Sequence, residues 1–376
     1  MRRSIIFLIG LVVLCMTGQP TVAQRSIVPV QEVDMLFAGD IMQHVGQLNM
    51  ARLPNGRYSY SYYYRHIKDF IKKADISVAN LETPIGKKNF SGYPMFCAPD
   101  SFLYAIKDAG FNVLLFANNH CCDKGKSGAM HTLNMLDSLG FAHCGVYRNA
   151  QERAERYPLV VEKEGMRIAI LNYTYGTNGM PVPKPMVVNL IDKKVIAEDI
   201  AEAKRKNVDA IIACMHWGDE YVSLPPKRVK ELSDWLLEQG VDHIIGNHPH
   251  VLQPIEVRES TTSPDKHVVV YSTGNLVSNM ATRRTDGGIM VTMKLQKTFS
   301  YTRHTDLGYM FAWITPRENN GKRDYTIYPA ATTVIKGNAR AEEKRKLFLN
   351  DSRKLFKTHN KGEMTEIMLD TVRITR

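Results

Sequence analysis

Cysteine is scarce and unpatterned in this chain of 376 residues. It has six, with no Cys-x-x-Cys spacing, which excludes a zinc ribbon and a thioredoxin-type redox pair. Beyond an N-terminal leader five remain: Cys97, Cys121, Cys122, Cys144 and Cys214. An odd number leaves at least one thiol unpaired in a monomer. These cysteines read as small buried apolar residues, with a disulfide from Cys121 or Cys122 to Cys97 or Cys144 as the alternative that an oxidising compartment permits. Long apolar runs are lacking after the first two dozen residues, so no later stretch is expected to span a bilayer. Internal repeats and low-complexity tracts are lacking too, which excludes a solenoid or a disordered chain. Acidic residues are outnumbered by basic ones, 38 to 49. That balance favours anionic partners. No nucleic-acid-binding motif accompanies it, so nucleic acid is not expected among them.

The first residues have the layout of a secretory signal. Arg2 and Arg3 precede an apolar run from Ile5 to Met16, and Thr21-Val22-Ala23 offers a small-residue cleavage site. A charged start, a short apolar centre and small residues define such a leader, here residues 1–23. An uncleaved N-terminal anchor is the alternative. Either way the remainder is expected outside the cytoplasmic membrane, in the periplasm or cell envelope.

From residue 33 to 279 one grammar recurs. A short apolar, β-branched run ends abruptly in polar residues, and a helical pattern usually follows. Residues 33–38 run into Gly39-Asp40, 76–79 into Asn80-Leu81-Glu82, and 113–117 into Asn118-Asn119-His120. Further on, 168–171 run into Asn172-Tyr173, 210–215 into His216-Trp217-Gly218-Asp219, 243–245 into Gly246-Asn247-His248-Pro249-His250, and 268–272 into Thr273-Gly274-Asn275. Helical patterns fall near 61–73, 100–109, 127–139, 194–206 and 226–239. This alternation predicts an α/β layered domain over residues 33–288. Residues 289–376 lose the pattern. Strands are expected at 289–295, 309–314 and 325–334, and a charged helix at 340–357, as a C-terminal α+β extension packed on the core.

In open α/β sheets, sites form at the carboxyl ends of strands. Asp, Asn, Glu and His stand at those ends one after another, which core packing alone does not explain. His248 and His250, one residue apart on a loop, can face one ion. His216 ends an apolar strand, where another apolar side chain would be expected. Asn119 and His120 add an amide oxygen and another imidazole, and Asp40 and Glu82 add hard anionic oxygens. A mixed N/O set without thiolate suits one or two divalent transition-metal ions, with manganese, iron and zinc equally compatible. Two ions sharing a carboxylate can clamp a phosphoryl group and activate water. Asp123 and Lys124 read either as contacts to an anionic substrate or as a solvated turn before a helix. Trp217 and Tyr221 read as a substrate wall or as packing, and the Tyr-rich stretch 58–64 as a half-buried helical face.

These stretches resemble the CapA family of bacterial capsule and poly-γ-glutamate synthesis proteins, related in fold to calcineurin-like metallophosphoesterases. The resemblance lies in FAGDIMQH at 37–44, ADISVANLETPIG at 74–86, FANNHCCDKGKSG at 116–128, MHWGDEY at 215–221, IIGNHPHVLQPIE at 244–256 and YSTGNLVSN at 271–279. It implies a metallophosphoesterase-like α/β sandwich. It further implies Asp40 and His250 as ligands of a first metal, and Asn119, His216 and His248 as ligands of a second. His120 is implied as general acid or transition-state stabiliser, and Glu82 stands where the broader phosphoesterases carry a bridging Asp. The sequence departs from that pattern at position 42, where Met replaces the His of an Asp-x-His start; His44 is the substitute ligand at a different spacing. Two functions follow. One is metal-dependent hydrolysis or transfer on an anionic envelope polymer, such as poly-γ-glutamate or a capsular polysaccharide, or on its precursor. The other is a non-catalytic scaffold that grips such a polymer or a membrane synthase partner.

Overall fold

A computed structural model describes residues 30–260, 265–299, 301–315 and 323–375. The expected leader, residues 1–23, lies outside them. The main strands form two sheets. In the first, Gln31–Ile41 is central. On one side it pairs in parallel with Ile76–Leu81, which leads on to Val113–Leu115 and Ala142–Cys144. On the other side it pairs antiparallel with Gly287–Lys297, followed by Thr302–Ile314 and Ile327–Pro329. The short strand Asn275–Val277 also joins the end of Gln31–Ile41. In the second sheet Ala210–His216 runs parallel to both Met166–Thr174 and His243–Asn247. Lys266–Val270 follows in parallel, and Ile255–Glu259 and Leu159–Lys163 close the edges antiparallel.

The two-residue side-chain period of a strand decides the layering. Val33, Met35 and Phe37 join Val78, Val113 and Leu115 in a core shared with Ile168, Ile170, Ile212, Ile244 and Val269 of the second sheet. Leu36, Ala38, Ala79 and Leu114 face the other way, onto Phe102, Leu103 and Ile106 of helix Asp100–Ala109 and Leu133 of helix Gly125–Ser138. Helices Lys193–Arg205 and Lys227–Glu238 bury Ile196, Ile200, Val229 and Leu236 into the core of the second sheet. Strands covered on both faces must be apolar throughout, which is why each reads as a short unbroken hydrophobic run. The five cysteines are free and buried. No helix among the described residues is long and apolar enough to cross a membrane.

Two expectations need correction. The helical pattern over 61–73 splits into a 3-10 turn at Ser61–Tyr64 and a single turn at Lys68–Ile71. The tyrosines compete with a regular helix because Tyr60, Tyr63 and Tyr64 are all buried, and Tyr60 donates to Gln43 Oε1 at 2.6 Å. Nor do the residues after 288 merely pack on a finished core. Gly287–Lys297 crosses that boundary and pairs with Gln31–Ile41 from Gln31↔Lys297 to Ala38↔Met290. The charged helix, Ala339–His359, does pack from outside, setting Phe348 and Phe356 against Phe311.

At the amino ends of the parallel strands, Asp265 ties the sheets together. It accepts from His304 Nδ1 at 2.8 Å and His304 N at 2.9 Å, and lies 3.8 Å from His243 Nε2. His243 Nδ1 accepts the Val268 amide, so its Nε2 carries the hydrogen and is not a metal ligand. Burial pushes the His243 pKa down to about 3. The folded protein therefore refuses a proton that the unfolded chain takes up below its ordinary value of 6.5. Between those limits this group alone is expected to remove up to about 1.4 kcal/mol of stability per pH unit of acidification. Urea unfolding at stepped pH should show a shallower acid slope for His243→Gln; an unchanged slope would refute the assignment.

Candidate metal centre

Strand register brings the polar ends to one level. Asp40 lies opposite Asn80 on one side and Asn275 on the other, and His216 lies opposite Asn247 and Thr174. Gly39 permits the close approach this needs. A Cβ there would stand 1.9 Å from Gly274 O, the atom that accepts the Asp40 amide at 3.0 Å. His248 and His250 hold left-handed backbone at φ 99° and 56°. That conformation is costly for residues with a Cβ and persists where the surroundings over-determine it.

Six expected ligands converge. Asp40 Oδ2 is 3.2 Å from His250 Nδ1 and accepts the His248 amide at 3.4 Å. Glu82 Oε1 is 3.5 Å from His216 Nε2 and 3.8 Å from His250 Nε2. Asn119 Oδ1 is 2.8 Å from His216 Nε2. Two donor groups emerge, Asp40 with Glu82 and His250, and Glu82 with His216 and His248. Glu82 is common to both, so its longer side chain does reach the position between them.

The electrostatics fit a cation. Glu82 is fully buried and neither carboxylate oxygen has a hydrogen-bond partner. Burial, then the Asp40 carboxylate, raises its pKa well above the ordinary value. An uncompensated carboxylate is expensive in such a place. The imidazoles of His216 and His248 do not compensate it. Burial, reinforced by neighbouring imidazoles, drives His216 well below its ordinary pKa and His248 down to about 3. Neutral imidazole is the ligand form, and His248 Nδ1 is also buried without a partner. An orphaned carboxylate among neutral imidazoles is a donor set for divalent cations.

Residues behind the ligands orient them. Asn275 Oδ1 faces His250 Nδ1 at 3.1 Å, which leaves Nε2 directed at Glu82. Asn80 donates to Asp40 Oδ1 at 2.7 Å and accepts from Asn118, whose amide also holds Leu81 O. Asn80 and Asn118 were legible only as polar residues ending apolar strands. His44 belongs to neither group. It caps helix Val45–Ala51 and its Nδ1 receives the Asn279 amide at 3.3 Å.

Asp123 is neither a solvated turn nor a substrate contact. It is buried, accepts the Phe96 amide at 2.7 Å, and holds His120 Nδ1 at 2.8 Å. This fixes the His120 ring with Nε2 free. Trp217 is likewise buried, donating to Tyr271 O at 3.0 Å, and forms no wall. Tyr221 does flank the centre, its half-exposed ring 6.2 Å from His250. Tyr175, which sequence reasoning missed, lies 4.6 Å from the His248 ring.

The fold is a layered α/β sandwich that gathers carboxylates and imidazoles able to hold a metal ion at its strand ends. The chain belongs to the family described as bacterial capsule synthesis protein PGA_cap, which it matches over residues 34–280. It is 29% identical to "Capsule biosynthesis protein CapA" of Bacillus anthracis, an alignment covering 71% of this chain and 64% of that protein. It is also 29% identical to "PGA biosynthesis protein CapA" of Bacillus subtilis (strain 168), over 69% of this chain and 67% of that one. The chain thus spans about two thirds of the length of these relatives. Among solved structures it is similar to the NAD nucleotidase of Haemophilus influenzae (TM-score 0.46, 13% identity, 91% of this chain, 58% of that one). It is also similar to the calcineurin-like phosphoesterase YfkN of Bacillus subtilis (TM-score 0.41, 14% identity, 88% and 99%).

Proposed function

We propose that this protein is a metal-dependent hydrolase or transferase that acts, outside the cytoplasmic membrane, on an anionic envelope polymer or its precursor. The observation that carries the reading is Glu82, a fully buried carboxylate without a hydrogen-bond partner, common to two donor groups. When bound, divalent cations supply Lewis acidity toward a phosphoryl or acyl oxygen. Asp40, Glu82 and His250 would hold one cation, and Glu82, Asn119, His216 and His248 the other. His120, oriented by Asp123, carries a proton on Nε2 to the departing oxygen. The excess of basic residues suits a polyanion, and the relatives' names point to capsule polymers, poly-γ-glutamate among them. An oriented His–Asp pair beside the donors favours catalysis over a purely binding scaffold.

Elemental analysis of the purified protein should find one or two transition-metal ions per chain. The His248→Ala, His250→Ala double variant should lose them. Phosphoester and γ-glutamyl substrates would then be screened. A native protein that takes up no manganese, iron or zinc on reconstitution would end the hydrolase reading and leave polymer or partner binding.

A further inference from the structure

The two donor groups are unequal. The second has Glu82, His216 and His248, with Asn119 Oδ1 completing it at 2.8 Å from His216. The first has only Asp40, Glu82 and His250. The segment that follows the Asp40 strand adds nothing to this group: Met42 is a buried apolar residue, and His44, whose Nδ1 receives the Asn279 amide, falls in none of the donor groups.

A third donor group adjoins the first through His250 and the second through His248. Glu220 lies in the loop after strand Ala210–His216, and its carboxylate groups with His248 and His250, all ligand atoms within 4.8 Å of one another. Glu220 is exposed, whereas both histidines are buried. No salt bridge to Glu220 is seen among the described residues; the nearby Arg228 is paired instead with Asp219. The loop is anchored to the ligand turn. The Tyr221 amide donates to Pro249 O at 2.8 Å, between the two histidines, and Gln253 Nε2 holds Val222 O at 2.7 Å. Tyr221 itself sits at φ 65°, a strained conformation for a bulky residue that turns the chain directly after Glu220.

We propose that Glu220 is the fourth protein ligand of the first metal, supplied from the loop after Ala210–His216 in place of a donor from Gln31–Ile41. It would add an exposed carboxylate to a set whose other donors are buried. A carboxylate is a suitable hard donor there, and one from an exposed loop closes the set without burying a third charge. The inference rests on the metal-centre reading above.

The test is Mn2+ titration by calorimetry of metal-stripped protein, native and Glu220→Gln, with Asp219→Asn as a neighbouring control and thermal unfolding of each stripped form. Native protein and Asp219→Asn should each bind two ions. Glu220→Gln should bind one, or bind the weaker ion at least tenfold less tightly, with the stripped form melting as native does. Glu220→Asp should recover part of the lost affinity. Native stoichiometry and affinities in Glu220→Gln would overturn the inference while leaving the metal centre standing. A native protein that binds a single ion would overturn the inference alone, and one that binds none would overturn both.

Discussion

Replacing Glu82 with Gln should change stability in opposite directions depending on whether ions are bound. In metal-stripped protein the substitution removes a buried carboxylate that has no hydrogen-bond partner. Above about pH 4.5 it is expected to stabilise by up to about 1.4 kcal/mol per pH unit, because the amide needs no proton to stay neutral. That is a rise of a few degrees in Tm for a chain of this size. In metal-loaded protein the same change removes the ligand common to both groups, so the Tm increase produced by Mn2+ or Zn2+ should largely vanish, and activity with it. The pH dependence follows. Burial raises the Glu82 pKa above its ordinary 4.5, so stripped native protein retains a proton there that the unfolded chain releases. Its stability should fall as pH rises above about 4.5, and Glu82→Gln should remove that part of the slope. Thermal scans of stripped and loaded protein across pH check both claims. A stripped variant less stable than native would show that the carboxylate is compensated by something other than a cation.

The second large effect is expected at His120. Its ring is fixed by Asp123 at 2.8 Å and packed edge-on against Phe96 at 4.5 Å. Neither His120 nor Asp123 belongs to a donor group. His120→Ala should therefore keep its ions while losing about 10²–10⁴-fold in kcat on a chromogenic phosphodiester or whichever ester proves to be turned over. Asp123→Asn should lose a comparable amount, because the imidazole stays but its tautomer is no longer enforced. The loss from His120→Ala should shrink for substrates with good leaving groups, which need no proton. Equal losses on good and poor leaving groups would assign His120 to positioning or to charge stabilisation. Loss of metal would place it in the ligand shell.

Much of this centre is legible from sequence because strands buried on both faces leave no ambiguity about where they end. Asp40, Glu82, Asn119, His216, His248 and His250 each follow an apolar run, and parallel pairing brings those ends to one edge. What is not legible depends on contacts between distant segments. Asp123 lies in an Asp-Lys-Gly stretch that reads as a solvated turn, and its burial is explained by the Phe96 amide, brought from 27 residues away, together with the His120 ring. Glu220 is an exposed loop carboxylate with no periodic signal, and its meaning comes from the His248–His250 turn beside it. The strands after 288 carry no motif. Their pairing with Gln31–Ile41 is a long-range event that local pattern does not encode.

That pairing has a practical corollary. The family match ends at residue 280, yet the Asp40 strand completes its hydrogen bonding only with residues 290–297. A fragment trimmed to the matched region would keep Asn275 beside Asp40 but leave the stretch of that strand before it, up to Ala38, on a raw sheet margin, with a row of amides and carbonyls open to any passing chain. Such a fragment is poised to polymerise through that margin. The boundary of likeness to relatives is therefore not the boundary of what must be synthesised together for the molecule to stay in solution.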